Sequence, residues 1–123
     1  MSLLESGENY LESILVLSKQ QKEIHAIDIV NYLGYSKPSV SIMLKKLKDA
    51  EYIIIDELSH IHLTDKGLEV ANKIYKRHKL LKNVLMSIGV SEQTAEDDAC
   101  KIEHDLSDET IEAIKKHLEK LGN

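Results

Sequence analysis

The sequence contains no phenylalanine and no tryptophan, and only one cysteine, one proline and five glycines in 123 residues. A core without those two aromatics must be built from Ile, Leu, Val and Tyr. A chain so poor in proline and glycine suits neither a loop-rich all-β fold nor a disordered one. The single cysteine, Cys100, excludes an internal disulfide framework and fits a reducing compartment. Apolar runs are only a few residues long, too short for a membrane span, and Met1–Glu12 is too acidic and polar for a secretory signal. The expectation is a cytoplasmic, mainly α-helical protein, built as one globular unit or as two small lobes.

What is present is charge, and it is unevenly placed. The net charge of −5 argues against non-specific coating of nucleic acid. Yet Lys37–Lys48 holds four lysines and no acid, whereas Glu92–Glu112 holds nine acids against the single Lys101. Either run could be an ordinary solvated face. The alternative is one lobe that meets phosphate and another that meets cations.

Apolar periodicity predicts a helix over Glu8–Leu17 and a short one over Ala26–Leu33, closed by Gly34 in the left-handed region. Ser36 then caps a helix with Pro38 in its first turn, burying Val40, Met43, Leu44 and Leu47. Tyr52–Asp56 and His60–Leu63 read as two strands joined by a turn. Thr64 caps a long helix with the stripe Leu68, Ala71, Tyr75, Leu81, Leu85 and Ile88. Ser91 starts another that runs to about Asp105, and Ser107 starts the last. A composition shift near residues 64–72 divides a mixed lobe, 1–70, from a helical one, 71–123.

Two short helices followed by a two-stranded hairpin form the order of a winged helix-turn-helix. Its second helix carries small polar groups near the start and lysines further along. That arrangement suits base-edge contact beside phosphate neutralisation. The candidate DNA-contacting residues are Ser36, Lys37, Pro38, Ser39, Ser41, Ile42, Lys45 and Lys46, with Ile42 placed for an apolar contact to a thymine methyl. The bland alternative is a winged helix used for protein contact.

Cys100, Glu103 and His104 stand at i, i+3 and i+4, a spacing that puts their Cβ atoms about 5–6 Å apart on one helical face. Thiolate, carboxylate and imidazole on one face are a transition-metal donor set. His78 interrupts the apolar stripe of the long helix and so points inward. Asn9 and Glu12 share a face at i, i+3. Taken singly, His78 is equally a core histidine, Cys100 a small hydrophobe and Glu103 part of a solvated acidic face. His60 and His62 share a strand face but lack a third partner.

With these segments assembled, the chain resembles the metal-dependent transcriptional repressors typified by the diphtheria toxin repressor and the manganese transport regulator. The resemblance rests on Glu8–Glu12, Ser36–Ser41, Leu63–Gly67, Arg77–Leu81 and Cys100–Ser107. It implies a metal-loaded homodimer that binds double-stranded operator DNA, with metal positions at Asn9, Glu12, His78, Cys100, Glu103 and His104. It also implies departures. Asn9 matches neither the aspartate of the manganese branch nor the methionine of the iron branch. Glu12 agrees with the manganese branch and Cys100 with the iron branch. Lys82 and Glu96 stand where the iron branch has a carboxylate and a histidine of an ancillary site. No counterpart of that branch's SH3-like domain is found up to Asn123, so a short two-domain form is expected, with one or two metals per subunit.

The resulting expectation is a divalent-metal-activated repressor, with Fe(II) favoured over Mn(II) and Co(II), Ni(II) or Zn(II) able to bind in vitro. Neither a membrane nor a small-molecule substrate is expected as a partner. Val84, Leu85, Ile88, Ile111, Ile114 and Leu118 are expected to build a two-fold dimer interface, since they extend the apolar stripe beyond the winged lobe. A metal-independent winged-helix regulator is the alternative. A metallohydrolase using Glu103 as general base lacks a visible nucleophile, oxyanion donor or cleft, so no enzymatic activity is expected.

Overall fold

Among residues 5–121, which the computed structural model describes, the order of elements is α1 (Glu5–Gln20), α2 (Ala26–Leu33), α3 (Lys37–Asp49), β1 (Ile53–Ile55), β2 (Ile61–Leu63), α4 (Asp65–Ser87), α5 (Glu92–Ile102) and α6 (Asp108–Lys120). The chain divides into two units between Asn72 and Lys73, inside α4. Residues 1–4 and 122–123, the outer ends of the two expected lobes, lie outside the described residues. No helix among the described residues is long and apolar enough to cross a membrane.

In the first unit α2 packs on α3 and on α1, while β1 and β2 pack on α3 and α1 respectively. The turn between α2 and α3 follows from local chemistry. Gly34 sits at φ 75°, closing α2 with its N–H on the Val30 carbonyl at 2.9 Å. Two residues later the Ser36 hydroxyl accepts the Ser39 N–H at 3.2 Å and starts α3, with Pro38 in the first turn where its missing N–H costs nothing. Val40, Leu44 and Leu47 are buried, as the periodicity predicts, against a core that includes Leu11, Ile14, Ile29, Ile53 and Ile61. Burying a side chain of this kind is worth about 1.5–3 kcal/mol, so this apolar face fixes which side of α3 stays in solvent.

The hairpin is antiparallel, with Ile54 opposite His62. Both strands are shorter than the apolar runs suggest, although single bonds continue the pairing at each end, Thr64 N–H to the Tyr52 carbonyl and Asp56 N–H to the His60 carbonyl. The Tyr52 N–H bonds the Leu47 carbonyl, and Asp56 is spent on the turn. Its Oδ1 accepts the N–H groups of Leu58 and His60, each at 2.9 Å, and its Oδ2 lies 2.8 Å from His62 Nε2. The His62 bond, then the His60 amide, hold the Asp56 carboxyl at about 2.

Three other expectations shift. The first helix extends past Glu8–Leu17 at both ends, since apolar periodicity marks only the packed turns and Ser18–Gln20 continue the helix as solvated residues. The buried stripe of α4 runs Ala71, Ile74 and Leu81; Tyr75 is half-buried, and Leu68 and Ile88 are exposed. Finally, α5 stops at Ile102 rather than near Asp105. The carbonyls of Glu103 and Leu106 accept hydrogen bonds from Arg77 Nη1 at 3.2 and 2.9 Å, which draws them off the helical ladder.

The Leu63–Gly67 segment shows why a glycine stands there. Thr64 caps α4 by accepting the Gly67 N–H at 3.1 Å while donating its hydroxyl to the Glu51 carbonyl at 2.7 Å. A Cβ on Gly67 would lie 2.0 Å from the Tyr52 carbonyl oxygen, whereas one on Gly34 would meet nothing within 4 Å. Gly34→Ala should therefore cost only left-handed strain, about 1–2 kcal/mol. Gly67→Ala must displace backbone, and should cost about 3 kcal/mol, the upper end of the overpacking range. Urea denaturation of both variants checks the order, and equal midpoints would contradict it.

Candidate metal centre and nucleic-acid interface

Packing of Val40, Leu44 and Leu47 turns the opposite side of α3 to solvent. Ser36, Lys37, Pro38, Ser39, Ser41, Ile42, Lys45 and Lys46 are all exposed there, Ile42 at 59%. Ile42 is thus a large apolar side chain on the solvent face of α3. The only acid within α3 is its last residue, Asp49.

The second unit brings three of the six metal candidates together. His78 lies on α4, Glu103 caps the end of α5, and His104 follows in the turn. Glu103 is 0% exposed. Its Oε2 lies 2.8 Å from His78 Nδ1, and its Oε1 lies 3.4 Å from His104 Nε2, accepting no hydrogen bond among the described residues. The second nitrogen of His78, Nε2, lies 2.8 Å from Glu96 Oε1, and Lys82 Nζ lies 3.0 Å from Glu96 Oε2. Hydrogen bonding to Glu103 is the largest influence on His78. Burial opposes it, Glu96 adds to it, and the imidazole is raised to about 9.

A fully buried carboxylate with an oxygen that accepts no hydrogen bond is costly unless a cation or donor compensates it. Here it sits beside two imidazoles, so the donors suit a divalent transition metal of borderline character. His78, Glu103 and His104 fit such an ion.

The other three candidates lie on α1 and α5. Asn9 and Glu12 are half-buried on α1 in the first unit, where Ser13 donates its hydroxyl to the Asn9 carbonyl at 2.7 Å. Cys100 is exposed on α5. The i, i+3 spacing suggests that Cys100 and Glu103 share one environment. In the structure the two differ in burial: Glu103 is fully buried and Cys100 is exposed.

The residues expected at a dimer interface are also uneven. Val84, Leu85, Ile111 and Ile114 are half-buried and Ile88 is 74% exposed, but Leu118 is already buried at 7%. Met86 and Leu121, the latter the last residue of the α6 stripe, are further exposed apolar residues of this unit.

Comparison with known proteins identifies both halves of the chain. Residues 2–61 match the iron dependent repressor N-terminal DNA binding domain, and residues 64–123 match the iron dependent repressor metal binding and dimerisation domain. An uncharacterized HTH-type transcriptional regulator of Methanocaldococcus jannaschii is 38% identical over 118 residues, covering 94% of both chains. The HTH-type transcriptional regulator MntR of Bacillus pumilus is 36% identical over 109 residues, covering 89% of this chain and 76% of its own. Among solved structures, the manganese regulator SloR superposes with a TM-score of 0.83 at 30% identity, over 97% of this chain and 55% of its own. The chain thus spans about half the length of that protein.

The chain belongs to the iron-dependent repressor family of metal-dependent transcriptional regulators.

Two residues of this repressor escaped the sequence reading as parts of the site. Arg77, 9% exposed, was hidden because a stripe drawn from apolar residues passes over it; its place three residues after Ile74 was the available signal. It also pairs with Asp108, so one guanidinium ties α4 to the turn after α5 and to the start of α6. Glu96 was noted only as a departure from a histidine, although its spacing of seven from Glu103 keeps it near the same face of α5.

The raised His78 value fixes a pH dependence. A basic group whose folded value exceeds its unfolded one of 6.5 stabilises the fold fully below 6.5, and the contribution is lost as pH rises through about 9. In the metal-free chain, wild type should therefore exceed His78→Gln in melting temperature most near pH 6.5, with the gap closing as pH passes about 9. Thermal melts in chelator across that range check this; a constant gap would contradict the pairing.

Proposed function

We propose that this repressor is switched on by one divalent transition metal and then binds operator DNA as a homodimer. The observation that carries the reading is the buried Glu103 oxygen between His78 and His104, a donor set with no use in an apolar core. The family resemblance adds Asn9 and Glu12 of α1 and Cys100 of α5 as further ligands. Bound there, the cation supplies positive charge that binds carboxylate, imidazole and thiolate donors at once.

His78 gives up its proton on binding, because only the neutral ring has a free lone pair. Glu103 brings a carboxylate already stripped of water. If metal favours the operator-competent state, DNA raises metal affinity by the same factor through linkage. Two recognition helices in a dimer read half-sites about one helical turn, ~34 Å, apart. On each α3, Ser39, Ser41 and Ile42 face base edges, with Ser36, Lys37, Pro38, Lys45 and Lys46 toward the backbone. The half-buried Val84, Leu85, Ile111 and Ile114, with the exposed Ile88, supply the dimer contact.

Fe(II) is proposed as the favoured activator over Mn(II). The support is chemical: manganese prefers oxygen and imidazole, thiolate sulfur favours softer ions, and Asn9 offers a neutral oxygen where a carboxylate would favour a hard ion. Relatives named as manganese regulators make Mn(II) the competing outcome.

Two experiments test the reading. Operator binding titrated with buffered metals under nitrogen should show activation at lower free Fe(II), or Co(II) as its air-stable substitute, than Mn(II). Cys100→Ala should weaken the Fe(II) and Co(II) responses most, and Cys100→Glu should shift the response toward Mn(II). A wild type that answers Mn(II) first, with Cys100→Ala unchanged throughout, would remove the thiolate and the Fe(II) ranking together. Neutralising Lys45 and Lys46 should weaken binding to all DNA sequences alike and lower the salt slope by roughly one unit per lost phosphate contact. Replacing Ile42 should instead change preference among sequences.

A further inference from the structure

We propose that Glu96, anchored by Lys82, is a positioning residue for the metal site: it accepts the Nε2 proton of His78 and so commits Nδ1 to the cation. The inference rests on the metal reading above and concerns residues of the second unit only.

Both ring nitrogens of His78 have a carboxylate oxygen at 2.8 Å, Glu103 at Nδ1 and Glu96 at Nε2. A histidine that binds metal through one nitrogen keeps its proton on the other, and the partner of that proton sets tautomer and ring orientation. The two ends of this ring differ. At the Nδ1 end the carboxylate is fully buried, and its second oxygen accepts no hydrogen bond and faces His104. The Nε2 end carries a partly exposed carboxylate whose own second oxygen is already taken by Lys82 at 3.0 Å. Glu92 lies 3.6 Å from the same ammonium, so Lys82 is itself held in place.

Three consequences follow from this chain of contacts. The donors suited to a cation converge at Nδ1, which leaves Nε2–H for Glu96. Glu96 has no oxygen to spare, with one on His78 and one on Lys82. And the positive charge at this end is the protein's own ammonium, which opposes a second cation beside Nε2. Glu96 therefore acts through His78 and does not touch the metal.

The experiment uses the full chain, with Zn(II) as a diamagnetic probe and Co(II) as a spectroscopic one. In nitrogen-15-histidine protein loaded with Zn(II), two-bond proton–nitrogen correlations should show metal on His78 Nδ1 and hydrogen on Nε2. Glu96→Ala should weaken Zn(II) binding ten- to a hundredfold, the usual cost of losing an outer partner of a ligating histidine. It should leave the Co(II) absorption bands where they are, since no ligand is lost. Glu96→Gln, whose amide oxygen still accepts the Nε2 proton, should stay within a few-fold of wild type. Glu96 is partly exposed, so neither variant threatens folding.

Metal on Nε2, an Ala variant as tight as wild type, or shifted Co(II) bands in that variant would each overturn the proposal. So would equal weakening in the Ala and Gln variants, because lost charge alone would then explain both. Glu103→Gln separates this from the underlying reading. If it binds Zn(II) as tightly as wild type, the metal site itself is wrong; if it fails while Glu96→Ala does not, only the positioning role is.

Discussion

A carboxylate buried to 0% exposure is the constraint around which the second unit is arranged. Taking Glu103 out of water is affordable only if its charge is answered, and the surrounding sequence answers it from two directions. His78 supplies a proton-bearing nitrogen to one oxygen. Arg77, one residue earlier on the same helix, holds the backbone carbonyls of Glu103 and Leu106 and pairs with Asp108. Consecutive residues on α4 thus do different work. Arg77 fixes where α5 ends, and His78 meets the side chain that this ending directs inward. Removing either would leave a buried charge or buried carbonyls without partners, which costs more than the contact itself contributes.

The first unit solves a simpler problem by simpler means. Apolar spacing on α3 chooses which face is buried, and the remaining face becomes a lysine-bearing surface with one large exposed isoleucine. Gly34, Ser36 and Pro38 set the turn that aims this surface, and each does so through local backbone chemistry. A chain with net charge −5 can present such a surface only by segregation. Segregation here is local: no acid falls between Lys37 and Lys48, so the face of α3 carries lysines alone although the rest of the first unit holds many carboxylates.

These differences explain how legible each part was in the sequence. Caps, the left-handed glycine and the buried face of α3 depend on neighbours within a few residues, and those features were readable at once. The end of α5 was not. It is set by Arg77, 26 residues before Glu103, and no helical period reports a side chain reaching that far. Nor does a helical period report that Glu103 is buried while Cys100, three residues earlier, is exposed. The α4 stripe was drawn through Tyr75 because hydrophobicity was counted without geometry; close packing selected Ile74, and the phenol stayed half out with Lys79 over its ring at 4.9 Å. In the sequence Glu96 stands out only as a departure from a histidine. Its role needs the distance to His78, which spacing within α5 cannot give.

Charge balance supplies the last link between site and switch. Two basic side chains, Lys82 and His78, are linked here to three carboxylic ones, Glu92, Glu96 and Glu103. Burial alone would raise Glu96, but Lys82 and His78 outweigh it and keep that carboxyl low, so its negative charge persists. A cation that replaced the imidazole proton would meet an excess of carboxylates, which favours a doubly charged ion over a singly charged one. Discrimination among dications cannot come from this balance, since all carry the same charge. It must come from donor softness and coordination number, and therefore from the ligands beyond His78, Glu103 and His104.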